Sequence, residues 1–221
     1  MVLPMAIMVR ANSESPFFFM FSVRLAKYSR RLPIFVRMKF VDKIKLTAGR
    51  RALGKMTDPV RLRAGSNFHD ASSIGILYVD SDERYFNKIK AFTKYLKEKF
   101  GVRQVQCLGF VNDLQKHLPI WQSHKLEFEY FTKDDLNWHM RPVQNVGKFI
   151  KEEFDILIDL THGDHIPINF IFVESKARMK VGLKDSRSAR FCDLTIDLGD
   201  SPNLDTYLKN LDVYLSNPKI K

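Results

Sequence analysis

The stretch SIGILYVDSDE, residues 73–83, carries the strongest indication of the fold. Its first seven residues are almost continuously apolar, which is typical of a strand buried on both faces of a sheet. Asp80, Ser81, Asp82 and Glu83 follow, and short polar and acidic side chains at this point favour the start of a helix. A doubly buried strand that leads directly into a helix predicts an α/β domain with a parallel sheet.

The same alternation continues to the end of the chain. Apolar residues at three- and four-residue steps predict a helix at 83–100, and Pro142 is expected to begin another at 142–153. Two strongly apolar strands with weaker neighbours predict a Rossmann-like three-layer domain, whose mostly parallel sheet has five or six strands in the order 3-2-1-4-5-6. The later strands are expected at 105–111, 126–131, 154–160, 179–183 and 193–198, and further helices at 166–176 and 202–215.

FDILIDL at 154–160 is the second strand that we expect to be buried on both faces. We expect Ile156 and Ile158 to point to one face of the sheet. Leu157 and Leu160 are expected on the other face, since side chains alternate along a strand. Helices should then cover both faces.

Positive charge is concentrated in the N-terminal third of the 221-residue chain. Residues 1–71 contain 14 Lys+Arg and 4 Asp+Glu, whereas residues 72–221 contain 22 and 21. The net charge of +11 therefore belongs almost entirely to an N-terminal extension. This asymmetry favours an anionic partner, such as RNA, the ribosome or a membrane surface, although a solvated extension with no partner would have the same composition.

The chain is predicted to comprise a leader at 1–37, a basic amphipathic helix and linker at 38–72, and a Rossmann-like domain at 73–221. Prolines interrupt the leader, so we expect it to be disordered or to precede a true start at Met38. No stretch reaches the roughly 18 uninterrupted apolar residues of a membrane-spanning helix. Cys107 and Cys192 lie in apolar segments, which favours free thiols in a reducing compartment, the cytoplasm.

Residues 38–56 combine apolar residues at helical spacing with many basic residues. Such a helix can contact a phosphate backbone, lie on a membrane surface, or pack its apolar side on the parent domain. The residues predicted to bind an anionic partner are Lys39, Lys43, Lys45, Arg50, Arg51, Lys55, Arg61 and Arg63.

Five short segments resemble a family of small, functionally uncharacterised bacterial proteins with one α/β domain. They are LGF (108–110), DLNW (135–138), FDILIDLT (154–161), KARMKVGL (176–183) and CDLTIDL (192–198). The resemblance runs from about Met38 to the C-terminus. It implies a fold and assigns no catalytic residue.

Two of these segments, 154–161 and 176–183, are also similar to the N-terminal Rossmann-like half of heptosyltransferase-type glycosyltransferases. Those enzymes bind the nucleotide sugar chiefly with a second domain. Only about 38 residues follow Leu183 here, too few for such a domain. The similarity therefore implies a shared fold rather than a shared activity.

In an open parallel sheet, ligands bind beyond the carboxyl ends of the strands, where the strand order reverses. This chain has no G-x-G-x-x-G after its first strand and no G-x-x-x-x-G-K-[ST], which argues against dinucleotide and P-loop nucleotide binding. The residues predicted to line the crevice are Asp80, Ser81, Asp82, Thr161, His162, Asp164, His165, Lys184 and Arg187.

His162, Asp164 and His165 are the densest group of titratable residues in this set. Imidazole and carboxylate groups could bind a metal or transfer protons near neutral pH. Their spacing matches no established metal motif, and we favour Asp164 as an N-terminal cap of the following helix. We predict no metal and no cofactor.

These observations predict a non-enzymatic α/β protein whose basic extension docks on an anionic partner. The alternative is a small-molecule or nucleotide-sugar binding protein, or a transferase-like domain, that uses the crevice at the strand ends.

Overall fold

A computed structural model of the protein describes residues 34–114, 127–199 and 203–217, with side chains from Val41 onward. Packing divides the chain into two units, residues 1–44 and residues 45–221. The predicted leader lies outside the described residues except at 34–37, which are helical. The domain boundaries expected at 37/38 and 72/73 stay predictions.

Helices and strands alternate along the second unit, as predicted. The strands are β1 (Ser73–Asp80), β2 (Gln104–Val111), β3 (Phe128–Thr132), β4 (Ile156–Asp159), β5 (Met179–Leu183) and β6 (Leu194–Ile196). The helices are α1 (Ile34–Gly54), α2 (Glu83–Phe100), α3 (Gly147–Lys151), α4 (Ile166–Glu174) and α5 (Leu204–Leu215).

All six strands are parallel and lie in the order β3-β2-β1-β4-β5-β6. This arrangement confirms the predicted fold class and strand order. The two most apolar strands, β1 and β4, are neighbours at the centre of the sheet, with Ile74 opposite Ile156 and Leu77 opposite Asp159. The strand order reverses between them, so the carboxyl ends of β1 and β4 flank the predicted crevice.

Each face of the sheet is covered by its own apolar layer. Ile76 and Ile158 belong to the layer that contains residues of α2 and α5. Leu77 and Leu157 belong to the opposite layer, which contains residues of α3, α4 and the end of α1. Burial on both faces explains why β1 and β4 have few polar residues.

The predicted side-chain pattern of β4 was wrong at one position. Leu160 packs in the layer of Ile156 and Ile158, not in the layer of Leu157. The reason is parity, because positions 157 and 160 are an odd number of residues apart and side chains alternate with a period of two. Asp159 is the residue that shares the face of Leu157.

Both ends of α2 follow their local capping signals, whereas the start of α3 does not. The Asp82 carboxylate accepts a hydrogen bond from Tyr85 N at the start of α2, and Gly101 ends this helix with φ 70°. The helix expected to begin at Pro142 begins instead at Gly147. Pro142 forms a β-bridge with Leu136, which places it in a turn before α3.

Candidate functional site

The second half of α1 is packed against the domain. Leu53 is buried in the layer formed with α3 and α4. A Cβ atom at Gly49 would lie 2.5 Å from the carbonyl oxygen of His139 and 2.9 Å from Cγ2 of Ile166. Only glycine allows so close an approach, so α1 lies directly against the start of α4. Packing on the parent domain was one of the alternatives left open by the sequence.

A residue of the loop between β5 and β6 caps the C-terminal end of α1. Arg190 Nη2 donates hydrogen bonds to the carbonyl oxygens of Leu53 (3.0 Å) and Gly54 (3.2 Å). These carbonyls have no partner within the helix, and the cation also complements the negative end of the helix dipole. The loop after β5 therefore holds the end of α1 in place.

Asp164 joins a residue of α1 to the predicted crevice. Its Oδ2 lies 3.0 Å from both Nε and Nη2 of Arg50. Arg187 Nε donates to both carboxylate oxygens of Asp164, each at 3.0 Å, and Asn169 Nδ2 donates to Oδ1 at 3.2 Å. The Asp164 carboxylate thus connects Arg50, which was predicted to bind an anionic partner, with Arg187, which was predicted to line the crevice.

The interpretation of Asp164 as a helix cap was wrong. The N-cap of α4 is His165, which makes no side-chain capping hydrogen bond. Its ring nitrogen Nε2 lies 3.0 Å from the carbonyl oxygen of His162 instead. Two nearby guanidinium groups attract the Asp164 carboxylate more strongly than neutral backbone N–H groups would, because charge-assisted hydrogen bonds are the stronger kind.

Arg61 is buried rather than available to a partner. Its side chain is 1% exposed. The guanidinium donates to the carbonyl oxygen of Arg178 (2.8 Å) and pairs with Asp58 (3.2 Å) and Asp193 (2.8 Å). Residues 57–63, expected to be part of a linker, are therefore fixed at the start of β5 and β6. Arg63, which is 61% exposed, pairs with Asp58 as well.

Lys180 completes this group of charges from within β5. Its ammonium is fully buried and donates to Asp58 Oδ1 at 3.1 Å and to the carbonyl oxygen of Val173 at 2.9 Å. Burial lowers the pKa of Lys180 to about 8, and the adjacent Asp58 carboxylate limits the fall. We call Asp58, Arg61, Arg63, Lys180 and Asp193 the ion cluster.

Asp159 is a buried carboxylate at the end of β4 that the sequence reasoning missed. Its Oδ1 accepts hydrogen bonds from Thr161 N (2.9 Å) and Thr161 Oγ1 (2.7 Å). Ser188 is near enough to affect the carboxyl group, yet Oδ2 receives no hydrogen bond of normal geometry from the described residues. Burial raises the pKa of Asp159 to about 6, and the bonds from Thr161 limit the rise.

The opposite face of β4 has a small cavity at the same edge. Tyr85 and Tyr207 donate their hydroxyl protons to the carbonyl oxygens of Leu160 and Asp159, each at 2.9 Å. The cavity beside them has a volume of about 30 Å³, which is room for one water molecule. It is lined by Tyr85, Leu160, His162, Leu198, Asn203, Leu204 and Tyr207.

The other predicted crevice residues are dispersed along the carboxyl edge. Asp82 caps α2, Asp80 is half-buried at the end of β1, and Ser81 and His162 are exposed. Lys184 is exposed and forms an ion pair of 2.8 Å with Asp197. Of the predicted crevice residues, Asp164 and Arg187 are in direct contact, and His165 is adjacent to Asp164 in the chain.

The predicted basic residues of α1 are mostly exposed. Lys43, Lys45, Arg50 and Arg51 are exposed in the helix, and Lys55 directly after it. The backbone of Lys39 is helical, but its side chain lies outside the described residues.

Metal and thiol chemistry gain no support from the described part of the chain. Among its residues, no three His, Cys, Asp or Glu side chains form a group that could hold a metal ion. Burial raises the pKa of Cys107 and of Cys192 to about 12, so neither thiol ionises near neutral pH. None of the described helices is long and apolar enough to cross a membrane.

Comparison with known protein families gives a match over most of the chain. A family of unknown function, DUF6913, matches residues 45–217, which contain every strand of the sheet. No curated protein and no solved structure matches the chain. The matched residues make up most of the chain, and the protein therefore belongs to the family of unknown function DUF6913.

Proposed function

We propose that this protein binds RNA without catalysis, through the phosphate backbone and the exposed basic residues at the end of α1. The observation that carries the proposal is the composition of residues 45–56, which hold four Lys+Arg and no acidic residue. Lys45, Arg51 and Lys55 are exposed there, and we call them the basic face. Cations in an acid-free segment attract phosphates whatever the nucleotide sequence.

The packing of α1 favours RNA over a membrane surface. A helix that lies in a membrane interface must bury its apolar side in lipid. Over the second half of α1 and directly after it, this apolar side is already buried, because Leu46, Leu53 and Met56 pack in the domain. The basic face remains available, and contacts with phosphates need only charge and hydrogen-bond donors.

We expect the protein to meet this RNA, free or in the ribosome, in the bacterial cytoplasm. Arg61 is left out of the proposed contacts because it is buried in the ion cluster.

The test is the salt dependence of RNA binding. Fluorescence anisotropy with a labelled 20-nucleotide oligo(U) would be measured in KCl from 50 to 200 mM. Replacing both Arg51 and Lys55 with Gln should weaken binding and reduce the slope of log K against log[salt] by about 1 to 2, since each lost phosphate contact contributes about 0.7.

The matched control removes two charges from the other face of the sheet. Arg84 and Lys90 are exposed on α2, and their replacement with Gln should leave both affinity and salt slope unchanged. Equal losses of affinity for oligo(U) in the two double variants would show that binding depends on net charge and not on the basic face. Capture by vesicles containing phosphatidylserine, without retention of oligo(U), would overturn the proposal in favour of a membrane.

A second candidate is a small-molecule site at the carboxyl edge of the sheet, such as a nucleotide-sugar site. Asp159 favours it, because perturbed, buried carboxyl groups cluster at functional sites. UDP-glucose and ADP-glucose should then raise the melting temperature of the wild type but not of Asp159→Asn. If neither compound changes the wild-type melting temperature, the nucleotide-sugar version is wrong.

A further inference from the structure

We propose that Arg187 forms, together with Arg50, a second phosphate contact of the RNA interface, and that Asp164 occupies this contact when RNA is absent. This inference rests on the proposed RNA binding. It adds a residue from the loop after β5, far in sequence from the basic face, and it assigns an inhibitory role to an acidic side chain.

The geometry around Asp164 is that of an anion site. Nε and Nη2 of Arg50 lie 3.0 Å from Oδ2, and Nε of Arg187 lies 3.0 Å from both carboxylate oxygens. Two guanidinium groups that converge on one carboxylate present the planar, multiple donors that also recognise a phosphate group. The chemistry of the site therefore fits an anion with several acceptor oxygens.

The site is accessible from solvent. The side chains of Arg50 and Arg187 are 42% and 46% exposed, and that of Asp164 is 25% exposed. In the ion cluster, by contrast, Arg61 is buried. A ligand can therefore reach the guanidinium groups of Arg50 and Arg187 without unfolding the domain.

Both arginines are held in place before any ligand arrives. Arg50 is on the packed half of α1, one residue after Gly49, which lies against His139 and Ile166. Arg187 is on the loop whose Arg190 caps the end of α1. Because the loop and the helix are linked by this cap, the two guanidinium groups need little rearrangement to bind an anion together.

The charges of the site leave an excess of positive charge. Two guanidinium groups face the single carboxylate of Asp164, and Arg51 of the basic face is the next residue along the helix. Exposed neighbours on the loop are Asp185 and Lys184, and Lys184 is paired with Asp197. A phosphate of the RNA backbone would take over the donors of Arg50 and Arg187, and the Asp164 carboxylate would be released to water.

The first test changes Arg187. Arg187→Gln should weaken binding of the labelled oligo(U) about three- to tenfold, the range for one partly exposed charge contact, and lower the salt slope by about 0.7. Arg187→Lys keeps the charge and should retain most of the salt slope. Lys209→Gln, an exposed cation on α5 across the sheet, is the matched control and should bind like the wild type.

The second test changes Asp164. Asp164→Asn keeps an acceptor for Asn169 and removes the competing charge, so it should bind oligo(U) about three- to tenfold more tightly. Thermal melting would identify a folding defect, and Asp164→Ser then serves as the second variant. Weaker or unchanged binding by a folded Asp164 variant would overturn the inhibitory role.

The two proposals fail in different ways. If the Arg51 and Lys55 double variant loses affinity while Arg187→Gln binds like the wild type with the same salt slope, the second contact is wrong and RNA binding by the basic face stands. If the wild type does not bind oligo(U) at all, both proposals are wrong.

Discussion

Lys180 and Asp159 are two buried charges on the same face of the sheet, yet their surroundings differ. Lys180 lies opposite Leu157 in the β4–β5 register, and Asp159 follows Leu157 by two residues, so both side chains point the same way. Lys180 has a carboxylate and a carbonyl oxygen as acceptors. Asp159 uses Oδ1 for two hydrogen bonds, whereas Oδ2 receives none from the described residues.

The difference separates a structural charge from a candidate functional one. Lys180 is near the start of β5, at the edge of the sheet opposite the crevice, and its partners attach residues 57–63 to the domain. Asp159 is at the end of β4, where ligands of parallel sheets bind. A buried charge with incomplete partners destabilises a fold. Proteins retain such groups chiefly at functional sites.

The largest expected effect tests whether the ion cluster is structural. Asp58→Ala should lower the free energy of unfolding by about 3–5 kcal/mol, because it leaves the buried cations Lys180 and Arg61 facing each other. Urea denaturation at pH 7 would measure the change. Arg63→Ala removes an exposed member of the same cluster and should cost less than about 1 kcal/mol. Equal costs for the two variants would contradict the structural role of Lys180.

A smaller effect of opposite sign is expected at Asp159. Its folded pKa of about 6 exceeds the ordinary value of 3.8, so the folded state binds the proton more tightly between about pH 4 and pH 6. Asp159 alone should therefore contribute a loss of about 3 kcal/mol to the free energy of unfolding as the pH rises through this window.

Asp159→Asn should remove this loss and stabilise the protein at pH 8 by about 1–3 kcal/mol. Denaturation series from pH 4 to pH 8 would measure both the slope and the difference. Asp205→Asn, at an exposed carboxylate of α5, is the control and should keep the wild-type slope. A destabilised Asp159→Asn with the wild-type pH dependence would show that the charge is structural after all.

The smallest effect concerns Gly182, which follows Lys180 by two residues in β5 and lies beside Asp159 of β4. A Cβ atom there would lie 3.0 Å from Sγ of Cys192. Gly182→Ala should cost about 1–2 kcal/mol through overpacking. Adding Cys192→Ala should recover most of this cost, because it removes the sulfur that the new methyl group meets. Thermal melting of the two single variants and the double variant would show whether the two positions are coupled.

The sheet could be predicted because its signals are local. The apolar runs of β1 and β4, the cap at Asp82 and the stop at Gly101 each depend on neighbouring residues. The burial of Asp159 could also be predicted, since every residue of a strand that is buried on both faces must face the interior. The period-two pattern, counted from Leu157, puts Asp159 and not Leu160 on the face of Leu157.

The ion cluster and the Asp164 contacts could not be predicted in the same way. Arg61 resembles the exposed cations around it, and its burial depends on Asp193, 132 residues later. Arg50 and Asp164 are 114 residues apart. The burial and pairing of a charge depend on partners that only the folded chain brings together. Composition and local sequence patterns do not identify these partners.

The cap on α1 comes from a residue that is synthesised long after the helix itself. Leu53 and Arg190 are 137 residues apart. At translation rates of about 5–20 residues per second, Arg190 is added roughly 7 to 27 s after Leu53. The end of α1 must remain without this cap on the nascent chain during this interval, so its last hydrogen bonds with the domain form only after most of the sheet has been synthesised.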